Sequence, residues 1–242
     1  MNYLIGIDLG TSSTKTVLFD EKGEVIASAS KDYPLYTPHN GWAEQKPEDW
    51  RDAALETITK VVKDSGVAAD DIKGLGISGQ MHGLVMLDEQ GEVIRPSIIW
   101  CDQRTEKECE EMTEKVGAEK LIEITANPAM TGFTASKILW VRNNEPENYA
   151  KCKHILLPKD YVRYILTGEF ATEVSDASGM QLLDVPKRQW SDELLEILDI
   201  DKSLLAKVYE SPEVTGTILP EIAAKTGLST STVVVGGAGD NA

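Results

Sequence analysis

The opening of the chain constrains its fold most. Tyr3 to Leu9 is β-rich, Gly10-Thr11-Ser12-Ser13 is a turn of small residues, and Thr16 to Phe19 is apolar again. Asp20-Glu-Lys-Gly23 makes a second turn, and Glu24 to Ala29 a third strand. Strands joined by turns this tight pair with their sequence neighbours, so the segment predicts an antiparallel meander. After it the pattern alternates. Pro47 suits a first helical turn, and Trp50, Ala54, Ile58, Val61 and Val62 recur at helical spacing to about Asp64. Ile72 to Ser78 reads as a buried strand. Leu84 to Leu87 and Val93 to Ile94 flank a second hairpin turn at Asp88–Gly91, and Ser97 to Trp100 is expected to extend the sheet. Helices are expected over Arg104–Val116, Thr134–Asn143 and Pro158–Leu166, with smaller amphipathic pieces at Leu194–Leu198, Leu204–Val208 and Ile222–Thr226. His154–Leu157 and Thr232–Val235 read as strands. A meander followed by alternating strands and helices is an α/β chain with a mixed sheet flanked by helices.

Composition enters by exclusion. With 40 acidic against 24 basic residues and a net charge of −16 over 242 residues, no basic patch could follow a phosphate backbone, so nucleic acid is not an expected partner. No apolar run approaches the roughly 20 residues that cross a bilayer. The first residues, MNYLIGIDLG, lack a basic region and carry Asp8 within their apolar stretch, unlike a signal peptide. Cys101, Cys109 and Cys152 form neither a CxxC pair nor an even framework, which fits reduced thiols in the cytoplasm.

Three turns could carry chemistry. Asp8-Leu-Gly10-Thr11-Ser12-Ser13-Thr14-Lys15 combines backbone N–H groups, hydroxyls and a cation able to converge on phosphate. Asp8 could hold Mg²⁺ there through water. A plain hairpin turn is the alternative, and the segment is no P-loop, because it leads into a strand. Ser78-Gly79-Gln80-Met81-His82-Gly83 follows a buried strand, where α/β proteins usually place ligands. His82 could bond a substrate hydroxyl or serve only its own tight loop. Gly236-Gly237-Ala238-Gly239-Asp240-Asn241 lets a ligand approach the backbone, and Asp240 could accept a proton from an attacking hydroxyl. A flexible turn with a solvated Asp is its alternative. In Trp100-Cys101-Asp102-Gln103-Arg104, Trp100 could floor a sugar pocket or pack in the core, with Asp102 capping a helix. Trp42, Trp50, Trp140 and Trp190 read as packing residues.

In this order the segments resemble the FGGY family of carbohydrate kinases. IGIDLGTSSTK is similar to the first phosphate motif of the actin and hexokinase superfamily, Gly132-Phe-Thr-Ala-Ser-Lys137-Ile-Leu-Trp140 to the family's signature, and Gly236-Gly-Ala-Gly-Asp240-Asn241 to the loop bearing its base. SGQMHG and WCDQR resemble the branch that phosphorylates xylulose. The glycerol kinase branch has an Arg-Glu pair where this chain has Met81-His82, and a Tyr near Gly132 that is absent here.

The resemblance implies a ribonuclease H-like, sugar-binding N-terminal domain over residues 1–242, with a C-terminal nucleotide domain outside this chain. It implies transfer of the γ-phosphate of ATP to a terminal hydroxyl of a ketopentose, D-xylulose first. By that reading Asp240 is the base. Asp8 positions Mg²⁺, and Gly10, Thr11, Ser12, Ser13 and Lys15 face the phosphates. Met81, His82, Trp100 and Asn241 meet the ketose. A non-catalytic sugar-binding domain, or a kinase for a related pentulose or hexulose, is the alternative. A chaperone-like ATPase shares the opening motif but not the Met81-His82 and Asp240 loops. A homodimer remains open as an assembly.

Overall fold

The computed structural model describes residues 1–242. The expected meander is present as β1 (Tyr3–Leu9), β2 (Ser13–Asp20) and β3 (Val25–Asp32), with Asp8 opposite Lys15 and Thr16 opposite Ala29. The chain continues through β4 (Glu44–Gln45), α1 (Pro47–Ser65), β5 (Ile72–Gly79), β6 (Val85–Leu87), β7 (Ser97–Ile98) and α2 (Glu106–Val116). Next come α3 (Ala118–Thr125), α4 (Thr134–Asn144), α5 (Pro146–Lys151), β8 (His154–Leu156), α6 (Pro158–Thr167), β9 (Ala171–Glu173) and α7 (Val174–Ala177). The last part holds β10 (Leu183–Asp184), β11 (Gln189–Trp190), α8 (Asp192–Leu198), β12 (Lys207–Tyr209), β13 (Val214–Thr217), α9 (Pro220–Thr226), β14 (Val233–Val235) and β15 (Ala238–Gly239).

The central mixed sheet runs β13-β14-β5-β1-β2-β3, with β15 also on β5. β5 is parallel to β1, and β14 and β15 are parallel to β5. Three chain segments therefore leave the sheet at the same edge, where open α/β sheets bind ligands. α1 forms because Pro47 needs no N–H at the first turn, Glu48 and Asp49 face the positive end, and Gly66 closes it at φ 64°. Its Trp50, Ala54, Ile58 and Val61 pack with Ile7, Leu18 and Leu75 of the sheet in one core. A buried 2.7 Å bond between the Thr16 and Thr57 hydroxyls ties the layers together. A second core joins α2, α3, α4 and α8 through Met112, Leu121, Ile138, Leu139 and Leu194. No helix is long and apolar enough to cross a membrane.

Four local expectations change. β7 does not extend the central sheet but pairs with β4, because β14 occupies the place beside β5. The turn at Asp88–Gly91 forms, yet β6 pairs with β8 and meets Val93 through a single bridge. α2 starts at Glu106, since the N–H and guanidinium of Arg104 are committed to Asp102. Leu204–Val208 is no helix: it holds the end of a short turn and the start of β12, which pairs with β9.

Candidate functional site

The three segments at the sheet edge enclose a cavity of about 150 Å³ lined by Thr11, Gln80, Met81, His82, Trp100, Asp240 and Asn241. Its lining is mostly polar, and its size suits a small polyol better than a nucleotide. Six sequence candidates meet there. Trp100 is 48% exposed, and its indole N–H donates to the Thr11 hydroxyl at 2.9 Å, so it stands against the phosphate turn with a face to solvent. Asp102 and Arg104 of the same motif do not reach the cavity. They form a buried pair that also engages Glu44, with Arg104 stacked 3.7 Å from the Trp42 ring. Asp102 therefore acts on Arg104 and the Ala43 N–H rather than capping a helix.

His82 has φ 68°, a left-handed backbone. Its Nδ1 lies 3.0 Å from the Gly179 carbonyl. A carbonyl only accepts, so Nδ1 carries the proton and Nε2 remains an acceptor. Burial pushes the imidazole pKa down to about 4, opposed by the Gly179 bond and assisted by the charge on Lys137. The ring is thus neutral near pH 7. Gly179 is obligatory here: a Cβ would lie 2.4 Å from His82 Cε1. Phe133 covers the ring, with centroids 4.3 Å apart.

Beneath His82 sits Lys137, fully buried, donating to the His82 carbonyl at 2.7 Å and the Gly132 carbonyl at 2.6 Å. No carboxylate pairs with it. Burial lowers its pKa to about 7 against the partial support of Asp102 and Cys101. In the sequence Lys137 stands out only as part of the Gly132–Trp140 signature. A lone lysine at helical spacing carries no signal that it will be buried.

Asp240 and Asn241 are exposed, and the Asn241 amide donates to Asp240 Oδ1 at 3.1 Å, leaving Oδ2 free. The Asp240 N–H donates to the Gly79 carbonyl at 2.9 Å, which continues the register of β15 on β5. Gly237 permits this approach, because a Cβ there would lie 2.1 Å from the Ile77 carbonyl oxygen.

The phosphate turn divides in two. Thr11 lines the cavity. Asp8 and Lys15 instead face a broad depression of about 510 Å³ on the open side of the sheet, with Ser78, Gly237 and Ala238. Gly10, Ser12 and Ser13 line neither. The Gly10 N–H is spent on the Ser13 carbonyl at 3.0 Å, whereas the Thr11 and Ser12 N–H groups have no partner within the chain. They are donors available to an anion. Two buried glutamines fix the turn, and the sequence gives no hint of Gln45. It donates to the Thr11 carbonyl at 2.7 Å and accepts from Gln80 at 2.9 Å and from the Trp50 indole at 3.1 Å. One amide thereby links the Gly10–Ser13 turn, the Gln80–His82 loop and α1.

No group of three His, Cys, Asp or Glu side chains is arranged to hold a metal. The Asp8 side chain is exposed and its carboxylate makes no hydrogen bond or ion pair, so it fits Mg²⁺ that arrives on phosphate and keeps its waters, rather than a site built by protein alone.

A family model described as the FGGY family of carbohydrate kinases, N-terminal domain, matches residues 3–242. Across the whole chain the sequence is 46% identical to the xylulose kinase of Bacillus subtilis, covering 48% of that protein. It is 46% identical over 238 residues, 98% of the chain, to the xylulose kinase of Escherichia coli, again covering 48% of the relative. The crystal structure of xylulose kinase from Rhodospirillum rubrum superposes with a TM-score of 0.94 at 30% identity, over 99% of this chain and 49% of that one. The chain spans about half the length of the curated relatives it matches.

Proposed function

The chain belongs to the FGGY family of carbohydrate kinases, and from that membership we propose that it is the sugar-binding half of an ATP-dependent kinase acting on a terminal hydroxyl of a ketopentose, D-xylulose first. One observation carries the assignment to this cavity: Asp240, neutral His82 and Trp100 line one small polar space together with Thr11, whose N–H has no partner within the chain. In this reading His82 Nε2 accepts from one sugar hydroxyl and Asn241 and Trp100 bound the rest. Asp240 Oδ2 takes the proton of the terminal hydroxyl as its oxygen forms the new bond to the γ-phosphorus. The bond from that phosphorus to the bridging oxygen breaks, and ADP leaves. Thr11, Ser12 and Lys15 offset charge on the phosphates, which is most of what phosphoryl transfer asks of a protein. Mg²⁺, brought with the nucleotide and held by Asp8, would supply further charge neutralisation. The half of the relatives that this chain does not match would supply the remaining nucleotide contacts.

The test is a coupled assay of ATP consumption across a panel of ketoses with the full-length gene product. Asp240→Ala is expected to lower kcat by about 10²–10⁴, the usual contribution of a general base. Near-normal kcat in the variant would remove the base assignment. Sugar binding without turnover in the parent would favour the non-catalytic reading.

A further inference from the structure

The densest set of buried charges lies under the segment that ends in Asp240, and the transfer just described does not use it. Lys159, Asp160, Glu173 and Asp176 are 0% exposed and Arg163 1%. Burying so many ionised groups is costly, and apolar packing would often be as stable. What these groups do is hold backbone. Arg163 donates to the Gly236 and Ala171 carbonyls and, at 2.5 Å, to Asp160.

Glu173 has all its lone pairs engaged: Oε1 accepts from the Asp176 N–H (2.9 Å) and the Ser175 hydroxyl (2.7 Å), Oε2 from the Ser175 N–H and the Ser211 hydroxyl (2.8 Å each). Because the Ser175 hydroxyl gives its only proton to Glu173, its oxygen is free to accept, and it does so from the Gly239 N–H at 3.1 Å. Gly239 needs such an anchor. It has no side chain to lock it, and a Cβ would lie 2.8 Å from Met81 Cγ.

We infer that Glu173 and Ser175 are positioning residues for Asp240: the relay from Glu173 through the Ser175 hydroxyl to the Gly239 N–H fixes the backbone that aims the Asp240 carboxylate into the cavity. Direct contact with the sugar is not involved, since neither residue lines the cavity. The inference rests on Asp240 as the base, but the anchoring itself can be read without turnover.

Hydrogen–deuterium exchange on the full-length protein reads the anchor directly. In Ser175→Ala the amides of Gly239 and Asp240 should exchange about fivefold to tenfold faster, as loss of one hydrogen bond implies, while amides of α1 and β1 keep their rates. Ser175→Thr keeps the hydroxyl and should restore slow exchange. Glu173→Gln, which loses two of the four acceptor positions, should reproduce the effect at the same two amides. In the ketose assay Ser175→Ala should lower kcat about tenfold to a hundredfold, as misplaced catalytic groups do. Its ketose KM should stay within about threefold of the parent, since only the transition-state contact is lost. Unchanged exchange at Gly239 and Asp240, or faster exchange spread evenly along the chain, would overturn the inference. So would a fall in kcat that Ser175→Thr does not rescue. If the parent phosphorylates no ketose while the exchange pattern appears as expected, the kinase reading fails and the anchor stands.

Discussion

Two lysines are wholly buried under different walls of the cavity, and their surroundings treat them in opposite ways. Lys137, under His82, faces two carbonyl oxygens and no carboxylate, and burial draws its pKa down to about 7. Lys159, under β5 and the Asp240 segment, has Asp160 at 2.8 Å, Asp176 at 3.3 Å and Glu173 at 3.4 Å. Burial alone would lower its pKa, but Asp160 and Asp176 outweigh it and the pKa is raised. The contrast separates two uses of one residue type. Lys137 works as a hydrogen-bond donor, a role its neutral amine can also fill. Lys159 works as a charge, and its removal would leave acids behind.

The largest effect that could break this contrast is Lys159→Met. It would leave Asp160, Glu173 and Asp176 buried with Arg163 as their only cation. Removing one member of a buried ionic set typically costs about 3–5 kcal/mol. A urea titration should show a loss of that order. A loss below about 1 kcal/mol, the scale of a surface pair, would mean the acids are already neutral and Lys159 is no compensating charge.

Lys137→Met should cost less. The substitution keeps the stem and removes the amine, so the His82 and Gly132 carbonyls lose a donor, although Thr134 still reaches the His82 carbonyl at 3.2 Å. An unsatisfied buried acceptor costs about 1–3 kcal/mol, partly offset because an uncompensated amine is also removed. The sharper readout is functional: with the His82 carbonyl freed, KM for the ketose should rise while KM for ATP stays near the parent value. An equal rise in both would deny Lys137 a specific hold on the His82 loop.

These two lysines also mark what the sequence leaves illegible. The meander, α1 and the strand ends at Gly10, Gly79 and Gly236 are readable because they depend on neighbours within a few residues: a turn of small residues, a proline at a helix start, a glycine run after β-branched residues. His82 and Asp240 are readable for the same reason, as polar residues in loops that follow buried strands. The pairing of β4 with β7, and of β6 with β8, is set by partners far along the chain and leaves no local trace. Gln45, Lys137, Glu173 and Ser175 owe their roles to burial and to an oxygen or N–H supplied by a remote segment. As letters they are ordinary polar residues of a loop, a helix and a helix start. Trp50 shows the limit from the other side: it packs in the core as expected, yet its indole N–H also steadies Gln45 at the Gly10–Ser13 turn.

The smallest expected effect is a difference in pH dependence. Asp176 lies 3.3 Å from Lys159, but neither of its oxygens makes a well-directed hydrogen bond. Burial raises its pKa to about 7, with Asp160 and Glu173 adding to the rise and Lys159 opposing it. Asp160 goes the other way. Burial would raise its pKa too, but Lys159 and Arg163 overcome burial and hold it below the ordinary carboxylate value. For Asp176 the folded pKa thus stands above the unfolded value of 3.8, so the native state binds the extra proton between about pH 4 and 7. The stability this contributes is complete below pH 4 and lost as pH rises toward 7. Asp176→Asn mimics the protonated acid at every pH. The variant should therefore gain on the parent by up to about 1.4 kcal/mol per pH unit through that window and stop gaining above it. Lys137 gives the mirror image. Its folded pKa is depressed, so its contribution is lost as pH falls from the unfolded value of 10.5 toward about 7, and the cost of Lys137→Met should grow above pH 7 and stay flat below. Taking each variant as a difference from the parent cancels the titrating groups that the substitution does not touch, and His82, whose pKa Lys137 helps to lower, titrates below the window read for Lys137. Urea titrations at half-unit steps from pH 4.5 to 9.5 would separate the two windows. A constant difference for Asp176→Asn would show that Asp176 is ionised throughout, and that Lys159 compensates three charges instead of two.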